Sequence, residues 1–189
     1  MSSDIIEINE KWSRVAFIGL AIVSFIGIIV NGSTMIVIFK QKTQSLNNQS
    51  IIPAIFFLSL SDFLICSFTL PTQAARFNLR HWPFDSMWAC KFIAYTNHLL
   101  FALSVSMITL IVINRAMALY SSNFATKFFS WRNTFFTVML IALFEGMFLT
   151  IPYQTTWNRY DYVNETFSCT IVKNDKDKFK VSTESLEIN

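Results

Sequence analysis

Charged residues are scarce in this sequence, since Asp, Glu, Lys and Arg together make up only 14% of it. Soluble domains contain about 25% charged residues, so the deficit argues against a water-soluble protein. The formal net charge of +3 is small and scattered, which argues against nucleic acid as a partner. Glycine and proline occur four times each, too rarely for a linker-rich or low-complexity chain.

Histidine and cysteine are also rare, with two and three occurrences. The sequence shows no His/Cys cluster at metal-ligand spacing, no phosphate-binding loop and no nucleophile–base set. We therefore predict that the protein is not an enzyme, and the residues themselves imply neither a metal centre nor a cofactor.

Hydrophobic residues make up 53% of the chain, including 20 phenylalanines, and they are concentrated in four blocks. A helix needs about 20 mostly apolar residues to cross a bilayer, and each block reaches that length. We predict an all-α membrane protein with four transmembrane helices over about residues 15–39, 51–75, 92–113 and 134–153. The four helices lie in a transmembrane region, residues 14–153. An N-terminal segment, residues 1–13, precedes this region, and an outer-loop remnant and polar tail, residues 154–189, follow it.

Orientation cannot be predicted from Lys and Arg, because they are equally numerous on both sides of the spans. Cys90 precedes the third span and Cys169 follows the fourth, which places both on the side of the N-terminus. They form either a disulfide or two unpaired thiols. Disulfides persist in oxidising compartments, and the glycosylation sequon at Asn164 lies on the same side. We predict a multi-pass plasma-membrane protein with an extracellular N-terminus and a glycan at Asn164, not at the sequon of Asn48 in the first connecting loop.

Asp62 lies inside the second apolar block, where a carboxylate must be protonated, paired or solvated by an ion and water. Asn31 in the first block and Ser104 in the third lie at a similar depth. We predict that the three residues form one buried polar cluster, the alternative being a neutral, hydrogen-bonded Asp62 with only a packing role.

Three other residues inside the blocks give weaker signals. Glu145 lies near the middle of the fourth block, where it could line a pocket or act as a lipid-interface or protonated structural residue. Pro71 interrupts the second block and is predicted to bend the helix and splay its outer end. Cys66 is predicted to be a small packing residue.

Several short motifs follow one another in a recognisable order over about 155 residues. They are Asn31 after Gly-Ile-Ile-Val, Asp62 in Leu-Ser-Leu-Ser-Asp, the His81-Trp82-Pro83-Phe84 loop, Cys90, Asn114-Arg115 and Cys169. In this order and spacing the sequence resembles a rhodopsin-like (class A) G-protein-coupled receptor. The resemblance implies that the four predicted helices are the first half of a seven-helix bundle and that Cys90 is bonded to Cys169.

The resemblance also implies roles for two groups of residues. In such receptors the residues matching Asp62 and Ser104, with Asn31 nearby, coordinate a sodium ion that stabilises the inactive state. The residues matching Asn114 and Arg115 hold the inactive packing and later contact the G protein. For Arg115 the alternative is an arginine that extends its charge to the membrane interface.

The sequence departs from the receptor pattern at two sites. Asn114 replaces the usual Asp, and such an Asn-Arg variant is seen in melatonin-receptor-like and some orphan branches; Ala116 replaces an aromatic residue. Asn97 lies where amine receptors carry an Asp. Because a neutral amide supplies no counter-ion for an ammonium group, we expect that the ligand is not a monoamine. Asn97, His98 and Tyr95 are the candidate ligand-pocket residues.

No fifth apolar block follows Cys169, so we expect a fragment or truncated form that does not signal alone. Its complete form would bind an extracellular ligand and a heterotrimeric G protein, with membrane lipid around the spans. One alternative is a non-signalling interaction protein that associates with full-length receptors. A second is a four-span transporter or channel subunit in which Asp62 and Glu145 serve an ion path.

Overall fold

The described part of the chain forms six α-helices and one β-hairpin. The computed structural model describes residues 2–42, 51–79, 81–84, 86–154, 158–163 and 168–173. The helices are α1 (Ser2–Lys42), α2 (Ile52–Leu64), α3 (Leu70–Leu79), α4 (Met87–Tyr120), α5 (Ser122–Phe128) and α6 (Trp131–Gln154), and the strands are β1 (Asn158–Val163) and β2 (Ser168–Lys173). A π-helical turn, Ile65–Thr69, joins α2 and α3 into one continuous span.

Four helical segments are long and apolar enough to cross a membrane. They are Lys11–Lys40, Ile52–Leu79, Met87–Tyr120 and Trp131–Ile151, with mean hydropathy between 1.8 and 2.4. Their exposed surfaces carry Phe, Leu, Ile, Val and Met side chains, which lipid solvates and water does not. The predicted membrane fold with four transmembrane helices is therefore confirmed, and the chain is a multi-pass membrane protein.

The hairpin was not predicted from the sequence. β1 and β2 pair antiparallel, with Tyr162 directly opposite Cys169. Cys169 is bonded to Cys90 at the beginning of α4, with 5.4 Å between the two Cα atoms. The side chain of Tyr160, only 1% exposed, donates a hydrogen bond to the carbonyl of Leu149 on α6 at 3.1 Å. The hairpin is therefore fixed over the ends of α4 and α6, which we call the disulfide side.

The π-helical turn accommodates Pro71 in the middle of the second span. In this turn the N–H of Leu70 bonds the carbonyl of Ile65, five residues back. The next bond in the same register would join residue 71 to the carbonyl of Cys66, but proline has no N–H. The hydroxyl of Ser24 on α1 donates to that Cys66 carbonyl at 2.7 Å. A side chain of the neighbouring helix thus satisfies the acceptor that Pro71 leaves open.

Close packing of α1 against the π-helical turn depends on Gly27. Cys66 is a buried free thiol, in agreement with its predicted packing role. A Cβ atom added at Gly27 would overlap the Sγ atom of Cys66. The absence of a side chain at this position therefore lets the first and second spans approach each other at the level of Ser24.

Ser24→Ala is expected to lower the free energy of unfolding by about 1 kcal/mol, because a buried carbonyl loses its donor in a medium without water. Unfolding of the purified chain in mixed micelles by increasing SDS measures this loss. Ser33→Ala, at an exposed position of the same helix, is the matched control and should change stability by less than about 0.5 kcal/mol. Equal losses in the two variants would contradict the role of Ser24.

Candidate functional site

Asp62 and Ser104 form a hydrogen-bonded cluster between α2 and α4. The hydroxyl of Ser104 donates to Oδ1 of Asp62 at 2.7 Å. The hydroxyl oxygen of Ser61 lies 3.0 Å from that of Ser104, and both serines are buried. The Ser61 hydroxyl also donates to carbonyls of its own helix, that of Leu58 at 2.9 Å and that of Phe57 at 3.2 Å. Ser104 therefore joins Asp62 to Ser61, whose single proton is divided between the Ser104 oxygen and the carbonyls of α2.

Asn31, the third residue predicted for this cluster, uses its amide differently. Within the described residues its Nδ2 atom donates to the carbonyl of Gly27 on its own helix, at 2.9 Å, and not to Asp62. That Asn31 belongs to the cluster of Asp62 and Ser104 stays a prediction. Ser61, in contrast, was not predicted as a member of the cluster, although its position beside Asp62 in the same apolar block was a usable signal.

A polar cavity of about 220 Å³ lies on the disulfide side. We call it the disulfide-side pocket. The described residues that line it are Thr69, Thr72, Gln73, Arg76, Trp82, Ile93, Ala94, Asn97, His98, Ser168, Cys169 and Thr170. The disulfide holds β2 across this cavity, so that three consecutive strand residues form part of its wall.

Local helical geometry explains why one face of the second span is polar here. Thr69, Thr72, Gln73 and Arg76 follow the i, i+3, i+4, i+7 spacing that places side chains on one face of a helix. This polar stripe begins where the π-helical turn ends. It was not recognised in the sequence, although its period is readable there.

Asn97 and His98, two of the predicted ligand-pocket residues, line the disulfide-side pocket. Nδ1 of His98 lies 2.6 Å from the carbonyl oxygen of Ala94. A carbonyl can only accept, so Nδ1 carries the proton and Nε2 is the acceptor of the neutral ring. The imidazole ring also packs edge-on against Tyr160, with 6.1 Å between ring centroids.

Tyr95, the third predicted pocket residue, is not among the described residues that line the cavity. Its hydroxyl donates to the carbonyl of Gly146 on α6 at 3.2 Å, and its ring lies edge-on to Tyr160 with 6.4 Å between centroids. In the structure Tyr95 therefore links α4 to α6 and to the hairpin.

Glu145 lies at the contact between α4 and α6. The hydroxyl of Ser106 donates to its Oε1 atom at 2.5 Å, while Oε2 is buried without a hydrogen-bond partner in the described structure. Glu145 is not among the residues that line the disulfide-side pocket. The geometry therefore favours the structural alternative over the pocket-lining one.

Asn114 and Arg115 lie towards the opposite end of α4 from Cys90. Asn114 is only 1% exposed, whereas Arg115 is exposed in the described structure. Further along the same helix Leu119 and Tyr120 are more than nine-tenths exposed. The Asn side chain therefore packs within the four-helix bundle, and the Arg side chain lies on its outer surface.

Asn164, the predicted glycosylation site, falls between β1 and β2, outside the described residues. Within the described ranges no group of three or more His, Cys, Asp or Glu residues is arranged to hold a metal ion.

The four described spans have the fold of part of a rhodopsin. The structure matches that of squid rhodopsin with a TM-score of 0.68 and 22% sequence identity, covering 86% of this chain and 45% of rhodopsin. At this identity the likeness shows the fold alone.

The family is shown by the sequence. Residues 21–185 match the family described as serpentine type 7TM GPCR chemoreceptor Srx. The chain belongs to this family, whose members are receptors of the G-protein-coupled class.

Two curated relatives are similar over most of this chain. Protein trapped in endoderm-1 of Drosophila melanogaster is 29% identical over 170 residues, which are 86% of this chain and 41% of the relative. Neuropeptide Y receptor type 6 of Oryctolagus cuniculus is 28% identical over 148 residues, 76% of this chain and 37% of that receptor. The chain thus spans less than half the length of the relatives that it matches.

Proposed function

We propose that this chain is the ligand-binding part of a rhodopsin-like chemoreceptor in the plasma membrane, with its N-terminus and disulfide side outside the cell. The observation that carries the proposal is the disulfide-side pocket, a polar cavity at the end of two apolar spans. Concave sites with a few convergent polar groups are typical of ligand binding. Membership of a chemoreceptor family supports the same function.

The complete receptor would couple to a heterotrimeric G protein through the opposite end of α4. Arg115 is exposed there, where it is available to a further helix or to a cytoplasmic partner. Asn114 lies buried beside it and supports the conformation of the helix end. In this proposal a ligand changes the equilibrium between helix packings by binding one of them more tightly.

The cluster of Asp62, Ser104 and Ser61 fits a weakly held sodium ion. The oxygen atoms of one carboxylate and two hydroxyls are available as ligands, and hard cations prefer oxygen ligands. A single carboxylate matches one positive charge, which favours a monovalent ion. Asn31, one helix away, remains a proposed neighbour of this site.

The ligand proposed for the pocket is not a monoamine. Asn97 lines the cavity, and no described lining residue is a carboxylate that could serve as the counter-ion of an ammonium group. A related receptor is named for neuropeptide Y. A short peptide is accordingly one of the compounds with which the pocket should be tested.

Thermal unfolding of the purified chain tests this function directly. The compounds are benzoate, benzamide, tyramine and short peptides, each at millimolar concentration. Binding at a hundred times the dissociation constant stabilises a protein by about 2.7 kcal/mol, which raises Tm by about 5–10 °C for a chain of this size. We expect such a shift for at least one compound other than tyramine, and its loss in Asn97→Leu. A shift for tyramine alone, or none for any compound, would contradict the proposal.

A further inference from the structure

The wall of the disulfide-side pocket includes an indole N–H without an acceptor. Trp82, in the loop before α4, lines this cavity. Its Nε1 atom is buried and has no hydrogen-bond partner in the described structure. An indole nitrogen can only donate a hydrogen bond, and buried donors in native proteins are nearly always paired. A ligand in this pocket can supply the acceptor that Trp82 needs.

His98 offers the opposite hydrogen-bonding function to the same pocket. Its Nδ1–H is bonded to the carbonyl of Ala94 within α4, at 2.6 Å. The neutral ring therefore presents Nε2 as an acceptor. Because Trp82 and His98 both line the cavity, a ligand that satisfies both residues must accept one hydrogen bond and donate another.

Two side-chain amides add the same pair of functions. Asn97 on α4 and Gln73 on the second span line the cavity, and each carries an N–H donor beside a C=O acceptor. Such an amide can bond a second donor–acceptor pair through both of its groups at once, as asparagine and glutamine do with the edge of adenine. A carboxamide presents a matching pair, because its oxygen and its N–H are attached to the same carbon atom.

Charged groups fit this wall less well than an amide. No described lining residue is Asp or Glu, so an ammonium group has no counter-ion. Arg76 also lines the cavity, but it already has an interaction partner in the chain. A carboxylate moreover has no N–H with which to bond Nε2 of His98. The volume of about 220 Å³ is smaller than the roughly 300–1,000 Å³ of complete ligand sites, so the pocket fits one end of a ligand.

We propose that the disulfide-side pocket binds an uncharged amide group of the ligand, which accepts a hydrogen bond from Nε1 of Trp82 and donates one to Nε2 of His98. This inference rests on the proposed function and names the chemistry of its ligand. The amides of Asn97 and Gln73 then bind the atoms next to this group. Peptides and small carboxamides both carry it, and N-acetylglycinamide and benzamide represent these two sources.

Binding of matched compounds to the purified chain in micelles tests both hydrogen bonds. The dissociation constant of each compound is measured from the dependence of Tm on its concentration. Benzamide is compared with N,N-dimethylbenzamide, which keeps the C=O group and has no N–H, and with benzoate, which is charged. Benzamide should bind about fivefold more tightly than its dimethyl derivative, and more tightly than benzoate. Tighter binding of N-acetylglycinamide than of benzamide would identify a peptide amide as the ligand group, and the reverse order a small carboxamide.

Two substitutions separate the donor from the acceptor. Trp82→Phe keeps an aromatic ring without the N–H and should weaken the binding of both benzamides about fivefold. His98→Phe removes the acceptor and should bring the two benzamides to equal affinity, a change in ratio that a merely structural role of His98 would not cause. Trp88→Phe, whose side chain is 72% exposed, is the matched control and should change neither dissociation constant by more than about twofold.

A nuclear magnetic resonance measurement follows Nε1 of Trp82 directly. The chain contains five tryptophans, and each gives one indole N–H signal when tryptophan is isotope-labelled. The signal that is missing in Trp82→Phe belongs to Trp82. It should move downfield when benzamide is added, because the proton becomes hydrogen-bonded, whereas the signal that is missing in Trp88→Phe should not move.

Failure of the inference differs from failure of the proposed function. If benzoate or a peptide binds and Asn97→Leu abolishes its binding, while benzamide binds no more tightly than its dimethyl derivative, the pocket binds ligands without selecting amides. That result overturns the inference alone, as does an indole signal of Trp82 that stays in place when benzamide is bound. If none of the compounds and peptides binds, the proposed function is overturned as well.

Discussion

Replacement of Cys90 or Cys169 by serine is expected to lower the free energy of unfolding by about 2–4 kcal/mol. The bonded residues are 79 positions apart in sequence, and the chain-entropy relation gives about 4.5 kcal/mol for a loop of that length. The spans stay in the bilayer after unfolding, so the unfolded chain is already restricted without the disulfide. The measured loss of stability should therefore be smaller than the chain-entropy value. Tm should fall by about 5–15 °C.

The same substitution should open the disulfide-side pocket, because β2 carries three residues of its wall. The matched control is Cys66→Ala, which removes the buried free thiol and leaves the bridge intact. A Cys169→Ser chain that unfolds at the same temperature as Cys66→Ala would contradict the structural role of the disulfide.

Asp62→Ala is expected to lower the free energy of unfolding by about 2–3 kcal/mol, because the buried hydroxyl of Ser104 loses the carboxylate to which it donates. Asp62→Asn keeps an acceptor oxygen and should cost about 1 kcal/mol. SDS unfolding in micelles measures both variants. A loss for Asp62→Ala below about 0.5 kcal/mol would show that the hydrogen bonds of this cluster contribute no measurable stability.

Sodium distinguishes an ion-linked cluster from a neutral packing residue. If Asp62 binds sodium, Tm should be higher in sodium chloride than in choline chloride at equal ionic strength, and Asp62→Asn should abolish the difference. The matched control is Glu145→Gln, which changes the other carboxylate–serine pair of the spans and should leave the difference unchanged. A sodium effect that survives Asp62→Asn would exclude this cluster as the site.

The four spans could be predicted from the sequence because a bilayer imposes a length and an apolar composition on each helix. Proximity of Asp62 and Ser104 was also predicted, since polar side chains at one depth tend to face the interior of a bundle. The hydrogen bond between them agrees with that expectation. The spans and the common depth of these two residues both depend on position along the membrane normal. The hydropathy pattern of the sequence indicates that position.

The features that were missed depend on contacts between distant segments. The bond from Ser24 to the Cys66 carbonyl follows from the π-helical register around Pro71, which hydropathy does not report. The strands β1 and β2 are six residues each, too short to form an apolar block that hydropathy would detect. The place of Arg76 in the pocket became visible only when residues of β2 were found in the same cavity wall.

Glycan mapping tests the central claim, that the disulfide side and its pocket face the outside of the cell. The chain and its Asn164→Gln and Asn48→Gln variants are expressed in animal cells, and their mobility is compared before and after removal of N-linked glycans. The account predicts one glycan in the native chain and in Asn48→Gln, and none in Asn164→Gln. A glycan that disappears in Asn48→Gln and persists in Asn164→Gln would place the disulfide side in the cytoplasm and contradict the account.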